Sequence, residues 1–281
     1  MNGHHDGAPA CAVAERRSAW QSLKYFALRQ ILRRRLLTAR IEPIGLSVRA
    51  YTKDVMGRHL YKRGVHELLL SNFVLQHLVL RDDAVVLDIG ANLGWYSLLL
   101  SRRCPRARIH AFEPEPRNLA LLRDNLAQNG IANVTVHPVA VAERSGSMQL
   151  FPYPDKNMGR HSLVPMDGLR PIDVPVVSID DFLRAQRIAP AAVDFVKIDV
   201  EGYELPALQG ARSLLAAAPV ILAEFAPKYI RRAGSDPAAL LQWLQDAGFR
   251  PFECTRDGRR PMDLTGAATG DRRLDILWTK G

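Results

Sequence analysis

Residues 85–97 read VVLDIGANLGWYS, an apolar run that ends in two glycines four positions apart and then becomes amphipathic. This pattern predicts a strand, a tight turn and the start of a helix. Glycine permits positive φ angles and a close approach of a ligand to the backbone, and the first N–H groups of a helix are free to donate. The turn is therefore typical of a nucleotide-binding site. The acid at the end of the strand, Asp88, favours a nucleoside that carries a cationic sulfonium over a pyrophosphate.

A second acid follows the next apolar run, residues 107–112, which ends at Glu113-Pro114. Its separation from the glycine turn is roughly the one at which an acid on a second strand accepts hydrogen bonds from ribose hydroxyls. Each acid also has a simpler explanation, because Asp88 would cap the turn and Glu113 would end a strand in solvent. The two acids together, at this spacing, favour a nucleoside site.

Together with this turn, several later segments resemble the FkbM family of S-adenosylmethionine-dependent methyltransferases. The segments that carry the resemblance are DIGANLG at 88–94, FEP at 112–114, VAV at 139–141, VSIDDF at 177–182 and VDFVKIDVEGYE at 193–204, followed by LQGA at 208–211. The segment at 193–204 is the most specific. The resemblance runs from about Ile44 to the C-terminus.

This resemblance implies a Rossmann-like, doubly wound seven-stranded sheet of the class I methyltransferase type, with S-adenosylmethionine as the methyl donor. It also implies O-methylation of a sugar, a glycolipid or a specialised metabolite. The residues expected to bind the cofactor are Asp88, Gly90, Ala91, Asn92, Gly94, Glu113, Pro114, Ala140 and Ser162.

The apolar pattern by itself predicts an α/β domain. Continuous apolar runs at residues 193–198 and 220–225 are typical of buried parallel strands, and about seven strands alternate with helices along the chain. Right-handed crossovers then place the ligand at the switch point beside the first strand. Residues 152–175 lack a periodic pattern and contain five prolines. We expect them to form a long loop in the substrate wall.

Three carboxylates are expected at the rim opposite the glycine turn, namely Asp199, Glu201 and Glu224. Methyl transfer to a hydroxyl is an in-line displacement in which the hydroxyl also loses a proton. Asp199 is the first candidate for the base, with Glu201 and Glu224 positioning the acceptor hydroxyls. A divalent metal ion held by the same carboxylates is the alternative route, and the sequence does not choose between them. The structural alternative for Asp199 is capping of a turn.

Four further residues have predicted roles. His161, in the long loop, is a second candidate proton acceptor, with simple solvation as the alternative. Ser162 beside it matches a serine-bearing segment of the family and is expected to contact the cofactor. Glu67 resembles the glutamate at the family's entry to a helix that covers the end of the cofactor. Lys197 alternates with Asp199 along one strand and is expected to pair with a buried carboxylate.

The N-terminal region differs from the rest of the chain. Residues 1–42 are predicted to be a basic extension, disordered over 1–14 and forming one amphipathic helix from Glu15 to Arg40, and residues 43–281 are predicted to be the methyltransferase domain. The functional hypothesis is peripheral contact of residues 15–40 with an anionic membrane, or contact with an acidic partner. The alternative is a helix that packs its Trp and Phe side chains on the domain.

Charge and cysteine content limit the function classes. The net charge is +9, of which residues 1–50 carry +6, with nine Lys/Arg against three acids. The remainder is nearly neutral, which argues against a nucleic-acid surface. Three scattered cysteines and the lack of a long apolar run predict a cytoplasmic protein, with peripheral attachment to the inner membrane face as an option. The sequence leaves the oligomeric state open.

Two rival functions remain open at this point. An NAD-type oxidoreductase is disfavoured because position 92 is Asn, where a dinucleotide-binding turn would have a glycine. A membrane-tethered binding module without catalysis is disfavoured because the acids at positions 88, 113, 199 and 201 are all present. The acceptor is expected to be a small molecule or a glycan.

Overall fold

The computed structural model describes residues 12–15, 18–154, 157–217 and 219–280. Its strands are β1 Leu36–Ile41, β2 Leu46–Tyr51, β3 Val85–Ile89, β4 Arg108–Phe112, β5 Val134–His137, β6 Ala140–Val141, β7 Gly146–Leu150, β8 Ile172–Val177, β9 Val193–Ile198, β10 Val220–Phe225, β11 Arg250–Thr255, β12 Gly258–Pro261 and β13 Leu274–Thr279. Its α-helices are α1 Ala19–Phe26, α2 Val55–Arg63, α3 Leu68–Asn72, α4 Trp95–Arg103, α5 Pro116–Gln128, α6 Ile179–Ala185, α7 Glu204–Gln209, α8 Arg212–Ala216, α9 Pro227–Arg232 and α10 Pro237–Asp246.

One eight-stranded sheet organises the molecule, in the order β12-β11-β13-β10-β9-β3-β4-β5. The strands from β10 to β5 in this order are parallel, whereas β13, β11 and β12 add antiparallel pairings. Seven of these strands were predicted from the sequence, namely β3, β4, β5, β9, β10, β11 and β13. If they are numbered 1 to 7 along the chain, they stand in the order 3-2-1-4-5-7-6 in the sheet. The predicted Rossmann-like α/β fold is therefore confirmed, and β12 is an eighth strand that the sequence reading did not include.

The sheet is buried on both faces by helices. All five residues of β3 are buried, and buried apolar side chains form a large cluster on each side of the sheet. This explains why the strands appear in the sequence as continuous apolar runs rather than as alternating ones. The chain leaves β3 toward β4 and β5 on one side, while β9 and β10 lie on the other. The switch point therefore lies between β3 and β9, as predicted.

The predicted loop over residues 152–175 is corrected at its end. Residues 172–177 form β8, which pairs with β6 and β7 in a separate three-stranded sheet. β8 contains Pro175, and only alternate residues of this strand are fully buried. Because β8 is short, contains a proline and buries only two side chains, the sequence shows no clear strand period here. The rest of the segment remains irregular apart from one turn of 3₁₀ helix at Met158–Arg160 and a bridge between Phe151 and Ser162.

The predicted helix from Glu15 to Arg40 is wrong in its second half. α1 continues as a π-helical turn over Ala27–Ile31, Arg33 has a positive φ of 48°, and β1 follows and pairs antiparallel with β2. Burial alternates along β1, which is the period of a strand and not of a helix. The predicted boundary at residue 42 remains a prediction, although the hairpin crosses it. Of residues 1–14, which were predicted to be disordered, residues 1–11 lie outside the described part of the chain. The prediction is wrong at Val13, which is buried, donates its N–H to Asn72 Oδ1 and accepts a hydrogen bond from Asn72 Nδ2.

The structure bears on two predicted features, the lack of a long apolar segment and the lack of disulfide bonds. Within the described residues, no helix has the length and apolar character needed to cross a membrane. Cys104 and Cys254 are free thiols, and Cys11 lies outside the described part of the chain. The cytoplasmic location remains a prediction.

Candidate active site

The glycine turn between β3 and α4 requires its glycines. Gly90 has a φ of +80°, and a Cβ added to it would lie 2.0 Å from the backbone oxygen of Asp199. Gly94 has a φ of +94°, and an added Cβ would lie 2.5 Å from Leu122 Cδ1. Asn92 adopts a left-handed φ of +53°, which asparagine tolerates better than most residues. The turn thus holds its backbone against β9 on one side and α5 on the other.

Glu113, at the end of β4, is tied to this turn. Its Oε2 accepts a hydrogen bond from the Asn92 N–H at 2.8 Å, and its Oε1 accepts one from the Glu115 N–H at 2.8 Å. Each carboxylate oxygen has a second lone pair that remains able to accept a ribose hydroxyl. Burial raises the pKa of Glu113 to about 8. The predicted placement of this acid beside the turn agrees with the structure.

A buried charge network lies below the turn. Asp88 is buried and accepts a hydrogen bond from Ser97 Oγ at 2.6 Å, and burial raises its pKa to about 6. Lys197 is the partner of Asp88 on the adjacent strand β9 and is buried. Its Nζ lies 3.3 Å from Asp199 Oδ2 and over the ring of Tyr96. The predicted pairing of Lys197 with a carboxylate is therefore confirmed.

Tyr96 and Glu67 extend this network toward the cavity. Tyr96 donates its hydroxyl hydrogen to Glu67 Oε2 at 2.6 Å, and the His66 ring lies 3.4 Å from the other carboxylate oxygen. Burial alone would raise the pKa of Glu67, but the hydrogen bonds from His66 and Tyr96 and the charge of Lys197 hold it well below its usual range. Glu67 is therefore a fixed negative charge in the wall of the site.

The three predicted rim carboxylates do come together. Carboxylate oxygens of Asp199, Glu201 and Glu224 lie within 4.8 Å of one another. Arg273, which precedes β13, forms an ion pair with Glu224 and lies 3.8 Å from Asp199 Oδ2. Asp199 and Glu201 line the cavity, whereas Glu224 is fully buried and is not among the lining residues. Glu224 thus reaches the site through Arg273.

Glu201 has an unusual backbone and an unusual environment. Its φ is +53°, and the following Gly202 packs so closely on α9 that an added Cβ would lie 2.4 Å from Tyr229. A non-glycine residue in this left-handed region costs roughly 1–2 kcal/mol. Burial and the charge of Asp199 raise the pKa of Glu201 well above its usual range. Strained conformations of this kind cluster at functional sites.

The loop residues His161 and Ser162 require a correction. His161 is buried, its Nδ1 accepts a hydrogen bond from the Tyr153 N–H at 2.7 Å, and burial lowers its pKa to about 4. Because its accepting nitrogen is occupied, His161 is a poor proton acceptor and instead anchors the loop. Ser162 Oγ accepts from the Val164 N–H at 3.2 Å and does not line the cavity, in contrast to its neighbours His161 and Leu163.

These elements line a cavity that opens to solvent. Of the predicted cofactor residues, it is lined by Asp88, Gly90, Ala91, Asn92, Glu113, Pro114 and Ala140. Gly94 is outside the lining and acts by starting α4. Within the described chain, the buried Oδ1 of Asn118, another lining residue, has no hydrogen-bond partner. A close backbone turn, a diol-accepting carboxylate and a free amide oxygen fit an adenine nucleoside.

The match to known proteins decides the family. The family model described as the methyltransferase FkbM domain matches residues 88–251, more than half of the chain. The chain belongs to the FkbM methyltransferase family. The predicted resemblance and the predicted enzyme class, a methyltransferase that uses S-adenosylmethionine, are confirmed, and the two rival functions are not favoured.

Three curated FkbM-type relatives have informative names. The 31-O-demethyl-FK506 methyltransferase FkbM of Streptomyces tacrolimicus is 30% identical, covering 51% of this chain and 66% of that protein. The 2-O-methyltransferase NoeI of Sinorhizobium fredii is 24% identical, covering 64% and 76%. The hexuronic acid methyltransferase AglP of Haloferax volcanii is 29% identical, covering 59% and 63%. The chain spans less than two thirds of the length of two of these relatives.

Several lining residues of this FkbM domain are not among those predicted from the sequence. Arg273 and Tyr96 both line the cavity, and neither was among the site residues predicted from the sequence. Asn118, on α5, donates its side-chain N–H to the Met158 oxygen at 3.0 Å and thereby ties the long loop to the cavity. A signal was available only for Asn118, as a buried polar residue between the apolar positions of α5. Arg273 belongs to an arginine-rich chain and has no distinguishing pattern.

Proposed function

We propose that the protein transfers the methyl group of S-adenosylmethionine to a hydroxyl oxygen of a sugar or glycan. The observation that carries this proposal is the placement of Asp199, Glu201 and Arg273 in one cavity with the glycine turn and Glu113. Paired carboxylates with a cation beside them suit an acceptor that presents several hydroxyls. The relative named as a hexuronic acid methyltransferase supports the same acceptor class, and the relative named as a 2-O-methyltransferase supports transfer to an oxygen.

Different residues of the site bind the cofactor, exclude water, orient the acceptor and accept its proton. The bound cofactor supplies an electrophilic methyl group on a cationic sulfur. Glu113 and the turn fix the nucleoside, while the wall formed by α2 and the long loop limits access of water. Arg273 and Asp199 orient the acceptor. The acceptor oxygen forms its new bond to the methyl carbon as the bond from that carbon to sulfur breaks and its electron pair passes to sulfur, while the hydroxyl proton passes to a carboxylate at the rim.

We propose Glu201 as the proton acceptor. Asp199, the candidate from sequence, already lies 3.3 Å from Lys197 and 3.8 Å from Arg273, which favours a role in orientation. Glu201 forms no ion pair at these distances with any residue in the described ranges, and its raised pKa brings it nearer to the pH at which a general base is most effective.

Replacing Glu201 tests this assignment. We expect Glu201→Gln to lower kcat by about 10²–10⁴-fold, because a positioned base contributes that much, while the affinity for S-adenosylhomocysteine stays within a few-fold. The wild-type rate rises with pH as Glu201 loses its proton, and the variant loses this limb. Transfer of isotope-labelled methyl groups into a glycan extract of a strain that lacks the gene measures the rate and its dependence on pH. Calorimetric titration measures the affinity for S-adenosylhomocysteine.

Two matched variants accompany this experiment. Asp199→Asn, with a positioning role, lowers the rate but keeps the acidic limb of the pH profile, and the exposed Glu143→Gln changes neither. A profile that loses its limb in Asp199→Asn and keeps it in Glu201→Gln would return the base to Asp199. A calorimetric titration that shows binding of NAD and none of S-adenosylhomocysteine would contradict the methyltransferase proposal as a whole.

The divalent metal remains a separate proposal for the same carboxylates. Their mutual distances of up to 4.8 Å suit a hard cation with oxygen ligands. Arg273, however, already places a positive charge at Glu224 and Asp199, and we therefore favour the route without a metal. Activity that EDTA removes and added Mg²⁺ restores would establish the metal route instead.

The acceptor itself is found most directly by comparing cells. Mass spectrometry of glycan and metabolite pools from wild-type and deletion strains identifies any species that is lighter by one methylene in the deletion strain. A species that changes and contains no sugar would contradict the proposed acceptor class while leaving the methyl transfer intact.

A further inference from the structure

The N-terminal segment presents an unusual amount of apolar surface to solvent. Six large apolar side chains between residues 20 and 36 are 39% to 69% exposed, namely Trp20, Leu23, Phe26, Ile31, Leu32 and Leu36. In the described ranges, only two other large apolar side chains, Leu69 and Val79, have comparable exposure. The alternative in which the Trp and Phe side chains pack on the domain is therefore wrong.

This exposed surface is held in place from behind. Trp20, Leu23 and Phe26 are spaced by three and so share one side of α1. Tyr25 points to the other side, is buried, and donates its hydroxyl hydrogen to the Thr52 oxygen. Thr52 in turn donates its N–H and its hydroxyl to the backbone oxygens of Arg35 and Arg34. The segment is thus anchored to the domain by its polar contacts, while its apolar side chains face outward.

The charged side chains of this segment are all positive. From Ser18 to Ile41 the chain contains six Lys/Arg and no Asp or Glu. These cations are Lys24, Arg29, Arg33, Arg34, Arg35 and Arg40, and none of them pairs with a carboxylate elsewhere in the described residues. Six cations without a carboxylate partner in the described ranges, beside six exposed apolar side chains, match a bilayer, which has an apolar interior and an anionic surface.

We propose that this basic apolar face, formed by the six apolar side chains and six cations named above, docks the protein on an anionic lipid bilayer. Apolar side chains of such a helix enter the boundary between head groups and acyl chains, and each cation near the surface adds attraction to anionic lipids. A second copy of the chain would present the same positive charge and would repel this face. A protein partner would need an acidic patch that complements it. The bilayer is the occupant that satisfies both features at once.

The face and the cavity share one helix. α2 contributes Val55 and Met56 to the cavity lining, and its Tyr61 ring lies 6.1 Å from that of Tyr25 on α1. A helix of nine residues is about 13 Å long, so a docked protein holds its cavity close to the lipid surface.

Vesicle sedimentation with the full chain tests this proposal. We expect binding to vesicles of phosphatidylcholine and phosphatidylglycerol in equal parts, weakening with salt, and none to phosphatidylcholine alone. The variant Leu23→Ser/Phe26→Ser/Ile31→Ser and the variant Arg33→Gln/Arg34→Gln/Arg35→Gln should each lower the partition coefficient by on the order of 100-fold. All of these residues are outside the cavity, so binding of S-adenosylhomocysteine should not change.

Matched controls separate this face from general charge and hydrophobicity. Val79→Ser removes an exposed apolar side chain elsewhere, and Arg123→Gln/Arg144→Gln/Arg170→Gln removes three exposed charges elsewhere. Neither should alter vesicle binding. Equal losses in the control and test arginine variants would overturn the proposal. Analytical ultracentrifugation that shows a wild-type dimer, dissolved by the apolar variant, together with no vesicle binding would also overturn it, since the face would then join two copies.

Discussion

Gly90→Ala is expected to destabilise the protein by about 4 kcal/mol or more and to lower its affinity for S-adenosylhomocysteine by at least about 100-fold. The added Cβ would lie 2.0 Å from the Asp199 backbone oxygen, and the left-handed backbone adds its own cost. Because β3 and β9 are paired up to Ile89 and Ile198, immediately before this contact, the turn cannot move away without disturbing that end of the sheet. Urea denaturation and calorimetric titration measure the two effects.

Gly130→Ala is the matched control for this substitution. Gly130 follows α5 with a similar left-handed φ of +63°, but nothing lies within 4 Å of the added Cβ. We expect a loss of only about 1–2 kcal/mol and no change in cofactor affinity. Equal losses in the two variants would show that backbone conformation alone, and not the contact with β9, makes glycine necessary at the turn.

Lys197→Met is expected to destabilise the protein by about 3–5 kcal/mol, the usual cost of removing one partner from a buried ion pair. Lys197 is buried, and its charge faces Asp199, Glu67, Asp275 and Asp88. Removing it takes away the cation that faces Asp88 and leaves Arg273 as the cation near the other three carboxylates. The loss should be smaller at mildly acidic pH, because burial raises the pKa of Asp88 to about 6 and that carboxyl is then neutral.

Two further variants distinguish charge from packing at this position. Lys197→Met/Asp199→Asn should recover part of the lost stability, because it removes one unpaired negative charge. The exposed Lys228→Met should change the free energy of unfolding by no more than about 0.5 kcal/mol. A double variant that is as unstable as the sum of the single ones would show that Asp199 and Lys197 are not energetically coupled.

The parts of the site that are local in sequence were predictable. The glycine turn and Glu113 each lie at the end of an apolar run, and parallel strands bring such ends to one edge of the sheet. The position of Asn92 also had a physical reason, since its left-handed φ and its N–H bond to Glu113 explain why asparagine suffices without a third glycine. The neighbouring placement of β3 and β9 followed from the same rules.

The parts that depend on distant segments were not predictable. Arg273 reaches Asp199 and Glu224 only because β13 inserts antiparallel between β10 and β11. His161 is a weak base only because the fold buries it and occupies its Nδ1. The change from helix to strand before β1 is visible in the structure as alternating burial along β1. In the sequence, the run of arginines at 33–35 obscures the point at which the apolar period changes.

A single asparagine connects the glycine turn to the N-terminal hairpin, which bears on where a shortened protein can begin. Asn125 on α5 donates to the Leu93 oxygen in the glycine turn and to the Arg49 oxygen in β2, and accepts from the Arg49 N–H. β2 in turn depends on β1 for its other edge. A truncated protein that starts after residue 42 would keep every lining residue of the cavity and yet lose a support of the turn. Fragments intended for crystallisation or ligand screening should therefore begin before Leu36.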